Sequence, residues 1–182
     1  YQLIEQTNCK HHFAVTTSGY HSVTGEFLLK NLNLLDDSLD EETIKKLNKE
    51  KVNELKGKLR ELEDEAFWVN LGFTKKDISH LCLPFYETGT IDFEKDVKPV
   101  VNLLQDFDPD FVTVCVDPKG FGPENHFKVL QIMKRALQEY LKTNSKKDLK
   151  IIGYRNVWSQ FDLNDVNFFI PVSQKELNDL KK

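Results

Sequence analysis

The chain is predicted to fold as an open, mostly parallel α/β sheet flanked by helices. Three observations lead there. Short β-type runs alternate with longer helical patterns, the order of a layered α/β domain. One run, FVTVCV (Phe111 to Val116), is apolar almost throughout, which suits a strand covered on both faces better than a half-exposed one. Polar segments broken by glycine or proline follow the β-type runs, and such sheets gather ligands beyond the carboxyl ends of their strands.

In order, HHFAVTTSG (His11 to Gly19) reads as a short strand running into a glycine-terminated turn. Val23 to Leu35 carries a helical pattern. Residues 36–72 form a long charged segment whose apolar positions, among them Leu55, Leu59 and Leu62, recur mostly at helical spacing. Its charges suit a solvated helix face, with Gly57 weakening the middle and Gly72 as the stop. ISHLCLPFYETG (Ile78 to Gly89) gives a strand and a proline-containing loop. FEKDVKPVVNLLQDFDPD gives a helix that ends before Pro109, with Pro99 as a break or start. After FVTVCV, the loop DPKGFGPENH leads into the amphipathic pattern HFKVLQIMKRALQEYLK. KIIGYRNVW (Lys150 to Trp158) is a further strand and VNFFIPVS (Val166 to Ser173) a strand or extended edge. Ser173, with Glu176 three residues on, forms a capping box for a last helix.

Composition narrows the classes. Of 182 residues, 40% are hydrophobic and 13 are Phe, which supports a folded core over disorder. A net charge of −4 argues against a basic nucleic-acid binder. No stretch approaches the roughly 20 apolar residues that span a bilayer. The 3 cysteines, Cys9, Cys82 and Cys115, have no C-x-x-C spacing; buried free thiols in a reducing, cytoplasmic compartment are expected. Residue 1 is Tyr, and Leu3 and Ile4 sit among polar neighbours like the tail of an amphipathic helix. The chain is therefore expected to be a piece of a longer protein.

The ordered set TTSG, RELEDEAFWVNLG (Arg60 to Gly72), LPFYETGTI, DPKGFGPENH, GYRNVWSQFD and IPVS resembles the LmbE-like, or PIG-L-like, zinc-dependent de-N-acetylases. More closely it resembles the branch fused behind a glucosamine-6-phosphate deaminase (isomerase) domain. The resemblance runs from His11 to about Ser173 and implies one domain over residues 1–182, Rossmann-like, with its first strand lying upstream. It implies removal of an acetyl group from an N-acetylglucosamine derivative, such as a 6-phosphate, in the full-length parent. The family holds zinc through an early H-P-D-D motif and a later histidine. Only the later ligand has a counterpart here, His126. A catalytic zinc keeps three protein ligands and an open water position, so the fragment alone is expected to hold zinc weakly and hydrolyse nothing. Pro123 departs from the family's histidine three residues ahead of that ligand, and Lys119 on the lengthened loop is the cation that would stand in for it. These departures leave a rival class open: a degenerate, non-catalytic domain that binds a sugar phosphate or partners the deaminase.

Each candidate has a plainer alternative. His126 is either the ligand or a polar residue in the first turn of a helix. Asp117 either orients its loop and meets substrate, or is an ordinary turn residue before proline. Arg60 either grips a sugar phosphate through its guanidinium or belongs to a solvated charge face with Glu61 and Glu63. Ser18 and Glu87 lie on crevice-side loops, as sugar-hydroxyl partners or as loop caps. Arg155, in the Tyr154–Arg155 pair, would lie near the pocket by resemblance. Trp158 and Phe161 are expected in the core, and His21 and His80 to be structural. Expected partners are an amino sugar or its phosphate, the fused deaminase domain, and a second copy in a homo-oligomer; nucleic acid and membrane are not expected.

Overall fold

The first strand, β1 (Phe13–Val15), ends at a turn that Gly19 makes possible by taking a left-handed φ of 64°. The computed structural model describes residues 8–117, 119–144, 148–155, 160–171 and 173–179. The expected amphipathic tail over residues 1–7, and Trp158, lie outside these. A 3-10 turn (Tyr20–Ser22) leads to α1 (Gly25–Lys30), started by Thr24, whose hydroxyl accepts the Phe27 N–H.

The charged run 36–72 is two helices rather than one. Asp40 caps α2 (Glu41–Lys46) through the Thr43 N–H, and Asn48 caps α3 (Lys49–Asn70) through the Lys51 N–H. Between them Leu47 is extended, because a side-chain acceptor at Asn48 satisfies the new helix start and so ends the old helix. Gly72, at φ 90°, stops α3 as its position predicted.

β2 (Ile78–His80) pairs parallel with β1, Phe13 opposite Ile78 and Val15 opposite His80. The expected loop beyond it contains a single helical turn, α4 (Phe85–Thr88). A five-residue π turn (Phe93–Val97) runs straight into α5 (Lys98–Phe107), with Pro99 in its first turn, where a missing N–H costs nothing. Asp96, fully buried, accepts the N–H of Phe85 at 2.8 Å and of Asp92 at 2.7 Å, tying α4 to the entrance of α5. β3 (Phe111–Cys115) pairs parallel with β4 (Lys150–Tyr154), and α6 (Glu124–Thr143) joins them. The last helix, α7 (Gln174–Asp179), follows Ser173 as expected; the Glu176 half of the predicted capping box lies outside the described side chains.

The molecule is thus a mixed α/β fold of parallel strand pairs flanked by helices, the class predicted. Its larger core joins Leu83, Phe85, Leu104, Val114, Ile132 and Tyr140 between α5, α6 and β3. A second core packs Leu28, Leu32 and Ile44 against Leu55 and Leu59 of α3. The β1–β2 pair is covered on both faces. Phe13 stacks on Trp68 and His80 lies 3.9 Å from Asp64, both on α3. On the other face His12 meets Phe107 of α5, and Leu81 and Leu83 join the larger core.

Three expectations are corrected. β3 is covered on one face only: Val112, Val114 and Val116 pack on the larger core, while Phe111 is 53% exposed. Residues 166–171 form no strand, for no strand edge pairs with them, and Phe168, Phe169 and Ile170 are exposed. The 3 cysteines are free, as expected, but not buried: Cys9 and Cys82 are exposed and Cys115 is half-buried.

Candidate functional site

The polar residues singled out in the sequence form two clusters, one around the turn after β1 and one in the loop after β3.

In the first, the turn carrying Ser18 and Gly19 crosses α3 where Gly57 leaves room. A Cβ at Gly57 would lie 3.5 Å from Ser18 Cβ, and one at Gly19 would lie 3.5 Å from the Arg60 side chain. The turn thus packs Ser18 against Gly57 and Gly19 against Arg60 of the same helix. The next residue, Tyr20, is buried and donates its hydroxyl to Glu87 Oε2 at 2.7 Å. Burial, reinforced by that bond, pushes the Tyr20 phenol up to about 12. Tyr86 packs edge-on against Tyr20, its ring centroid 5.3 Å away, and His21 lies 5.0 Å from Tyr86. Burial raises the Tyr86 phenol, opposed first by a backbone hydrogen bond at His21. Three expected substrate residues, Ser18, Arg60 and Glu87, are brought together. Arg60 also pairs with Glu63 on its own helix, so the charge-face alternative holds at the same time.

In the second cluster Asp117, 6% exposed, receives the Gly122 N–H at 2.6 Å and the Phe121 N–H at 3.1 Å. These bonds, the Gly122 one foremost, hold its carboxyl below the usual range against the opposing effect of burial; Arg155 and His126 assist. The Arg155 guanidinium lies 3.7 Å from Asp117 and donates to the Val116 carbonyl at 3.3 Å. It also stacks over Phe161 at 4.9 Å, so Phe161 serves as an arginine platform where a core residue was expected. His126 is half-buried in the first turn of α6, its N–H donated to Pro123. Lys119 is exposed on the turn between Asp117 and Gly120. The structure thus joins Asp117, Arg155 and His126 electrostatically and leaves Lys119 on the loop surface.

Zinc needs at least three protein ligands. Among the described residues no three His, Cys, Asp or Glu side chains are grouped to hold a metal ion. Asp117 already spends one oxygen on each of two backbone N–H groups. His126 would supply one of the three ligands, and the other two are not grouped with it among the described residues. Desolvation and the neighbouring Glu61, 3.5 Å from its sulfur, push the Cys82 thiol up to about 11.

Tyr20, His21 and Tyr86 were not marked by the sequence as site residues. Their only local signal was two polar aromatic residues directly after the glycine of TTSG. The partner that gives Tyr20 its role, Glu87, lies 67 residues away.

Among known proteins, the chain is 31% identical over 110 residues to a glucosamine-6-phosphate deaminase-like protein of Bacteroides thetaiotaomicron. The match takes in 55% of this chain and 16% of that relative, so the chain spans about a sixth of its relative's length. No family model matches the chain, and no solved structure matches it. Among the described residues, no helix is long and apolar enough to cross a membrane.

Proposed function

We propose that the chain is part of a longer amino-sugar protein and that its loop clusters bind a phosphorylated amino sugar. The observation that carries this is the convergence of Ser18, Arg60 and Glu87 at the turn after β1. The deaminase-like relative supplies the substrate class. Such a ligand presents a dianionic phosphate, several hydroxyls and a nitrogen. Arg60 offers a planar fork of donors matched to phosphate oxygens. It would exchange Glu63, a partly solvated partner, for the phosphate. The Ser18 hydroxyl and the Tyr20–Glu87 pair suit sugar hydroxyls, which both donate and accept. In the second cluster Asp117 sets the loop, so that Lys119 and His126 stand at its rim.

The finer reading, which rests on the LmbE-like resemblance, belongs to the longer protein. There His126 would join ligands from an H-P-D-D motif, and an N-acetyl group would be removed ahead of a fused deaminase. The reading also takes in a cytoplasmic setting and self-association.

Calorimetric titration with glucosamine 6-phosphate tests the binding proposal in both the 182-residue chain and the longer protein. Arg60→Ala is expected to weaken binding at least tenfold and to abolish the preference over unphosphorylated glucosamine. Equal affinity for both sugars in the unmutated protein would overturn the phosphate role. Zinc analysis tests the finer reading: the longer protein should carry about one ion per chain and lose it on His126→Ala.

A further inference from the structure

A cavity of about 360 Å³ opens between α6 and Gly89, Thr90 and Ile91, the residues that follow α4. We propose that it is a second binding site, for a small phosphate monoester whose dianion meets Lys128 and Arg135 and whose body rests on Phe127 and Ile91.

The cavity stands apart from both loop clusters. Its α6 residues Glu124, Lys128, Gln131 and Arg135 fall at i, i+4, i+7 and i+11, one stripe of a helix. His126 is two residues from Glu124 and two from Lys128. At about 100° per residue it turns to the opposite side of α6. On α4, Glu87 reaches back to Tyr20 and so faces the turn after β1, whereas Gly89 faces Lys128. The site therefore does not rest on the sugar reading.

Lys128 is held in place, its side chain only 16% exposed. Gly89 ends α4 in the left-handed region at φ 73°, and a Cβ there would lie 4.0 Å from Lys128 Nζ. The ammonium thus sits against bare backbone, where most side chains would be strained. Its acidic partner Glu124, at 2.7 Å, is 77% exposed. A solvated pair of that kind is weak, so an incoming anion can take the ammonium from it. Arg135 lies about 10 Å further along the helix. It is exposed and, among the described residues, unpaired.

The lining selects the ligand. Two cations balance a dianion, where a carboxylate would leave one charge over. Arg135 offers a planar fork of donors and Lys128 a point charge. The Gln131 amide and the Thr90 hydroxyl add donors, and Thr90 is fixed by its hydrogen bonds with Thr88. The chain as a whole carries a charge of −4 and does not draw anions in general, so the paired cations are a local feature. The cavity also falls within the range of small-molecule pockets, about 300–1,000 Å³. Phe127, 36% exposed, and Ile91, which packs on the larger core, give it an apolar wall.

Titration of the 182-residue chain with phenyl phosphate, followed by amide chemical shifts, tests this. The signals of Thr90, Lys128 and Gln131 should move together. Arg135→Glu, a change at an exposed position, and Lys128→Met should each weaken binding at least tenfold. Arg60→Ala should leave it unchanged, so that failure here and failure of the sugar reading are read separately. Inorganic phosphate, which has no body to rest on Phe127 and Ile91, should bind at least tenfold more weakly. So should benzoate, which lacks the second charge. Three results would each overturn the site: no movement of those signals, movement that depends on Arg60 instead of Arg135, or equal affinity for inorganic phosphate or benzoate.

Discussion

Asp117 does its work through geometry before chemistry: one carboxylate collects two loop N–H groups and faces Arg155. Its depressed pKa means it stabilises the fold above the ordinary aspartate range near 4. That contribution is lost as pH falls through the lower folded value. Asp117→Asn is accordingly expected to flatten the acid limb of a stability-versus-pH curve, with faster amide exchange at Phe121 and Gly122; an unchanged curve would refute the assignment. Tyr20 acts at the other end of the scale. Its phenol is raised to about 12 from 10.0, so the folded state holds a proton that the unfolded state releases. Stability should fall as pH rises from about 10 to about 12, and Tyr20→Phe should make that fall shallower in alkaline denaturation. Asp108 is a third case. It ends α5 in the left-handed region at φ 47° and accepts the hydroxyl of buried Tyr140 at 2.6 Å. Asp108→Ala removes that acceptor and should cost about 1–3 kcal/mol in urea unfolding.

Among the elements, α3 positions the first cluster, and its weakest residue by propensity is the reason. Gly57 lets the Ser18 turn lie close on the helix. A Cβ there would make ordinary contact at 3.5 Å, so Gly57→Ala should be tolerated and gain up to about 1 kcal/mol in helix stability. Gly57→Leu should push the turn away and weaken sugar-phosphate binding while leaving the helical signal in circular dichroism intact. Sequence reasoning found the glycine but read it only as a flaw, because Ser18, which it accommodates, lies 39 positions upstream. Helix stops were more legible. Gly72 acts locally, as its chemistry requires, whereas the helix start at Asn48 divides a charged run whose pattern reads as one segment.

For the whole molecule, the two cores are carried by different elements, α5, α6 and β3 for one and α1 to α3 for the other. Ile132, fully buried in the larger core, should cost about 2–5 kcal/mol on substitution by alanine. Hydrogen exchange should then quicken across α5, α6 and β3 more than across α3. Equal quickening in both would show a single cooperative core. Phe111 and Tyr154 share one face of the β3–β4 pair and are about half exposed, an unusual state for strands so rich in apolar residues.

Those strands mark where the sequence stopped being sufficient. Alternation of strand and helix, the positions of the turns and the helix ends follow from backbone preferences acting over a few residues. So does the grouping of Asp117 with its own loop N–H groups, and these were open to a reader of the sequence alone. The packing of the Ser18–Gly19 turn against Gly57 and Arg60, the Tyr20–Glu87 bond and the exposed second face of β3 were not. Each depends on which segments the crossovers bring together across tens of residues, and hydrophobic pattern records that a surface wants burial without recording what buries it.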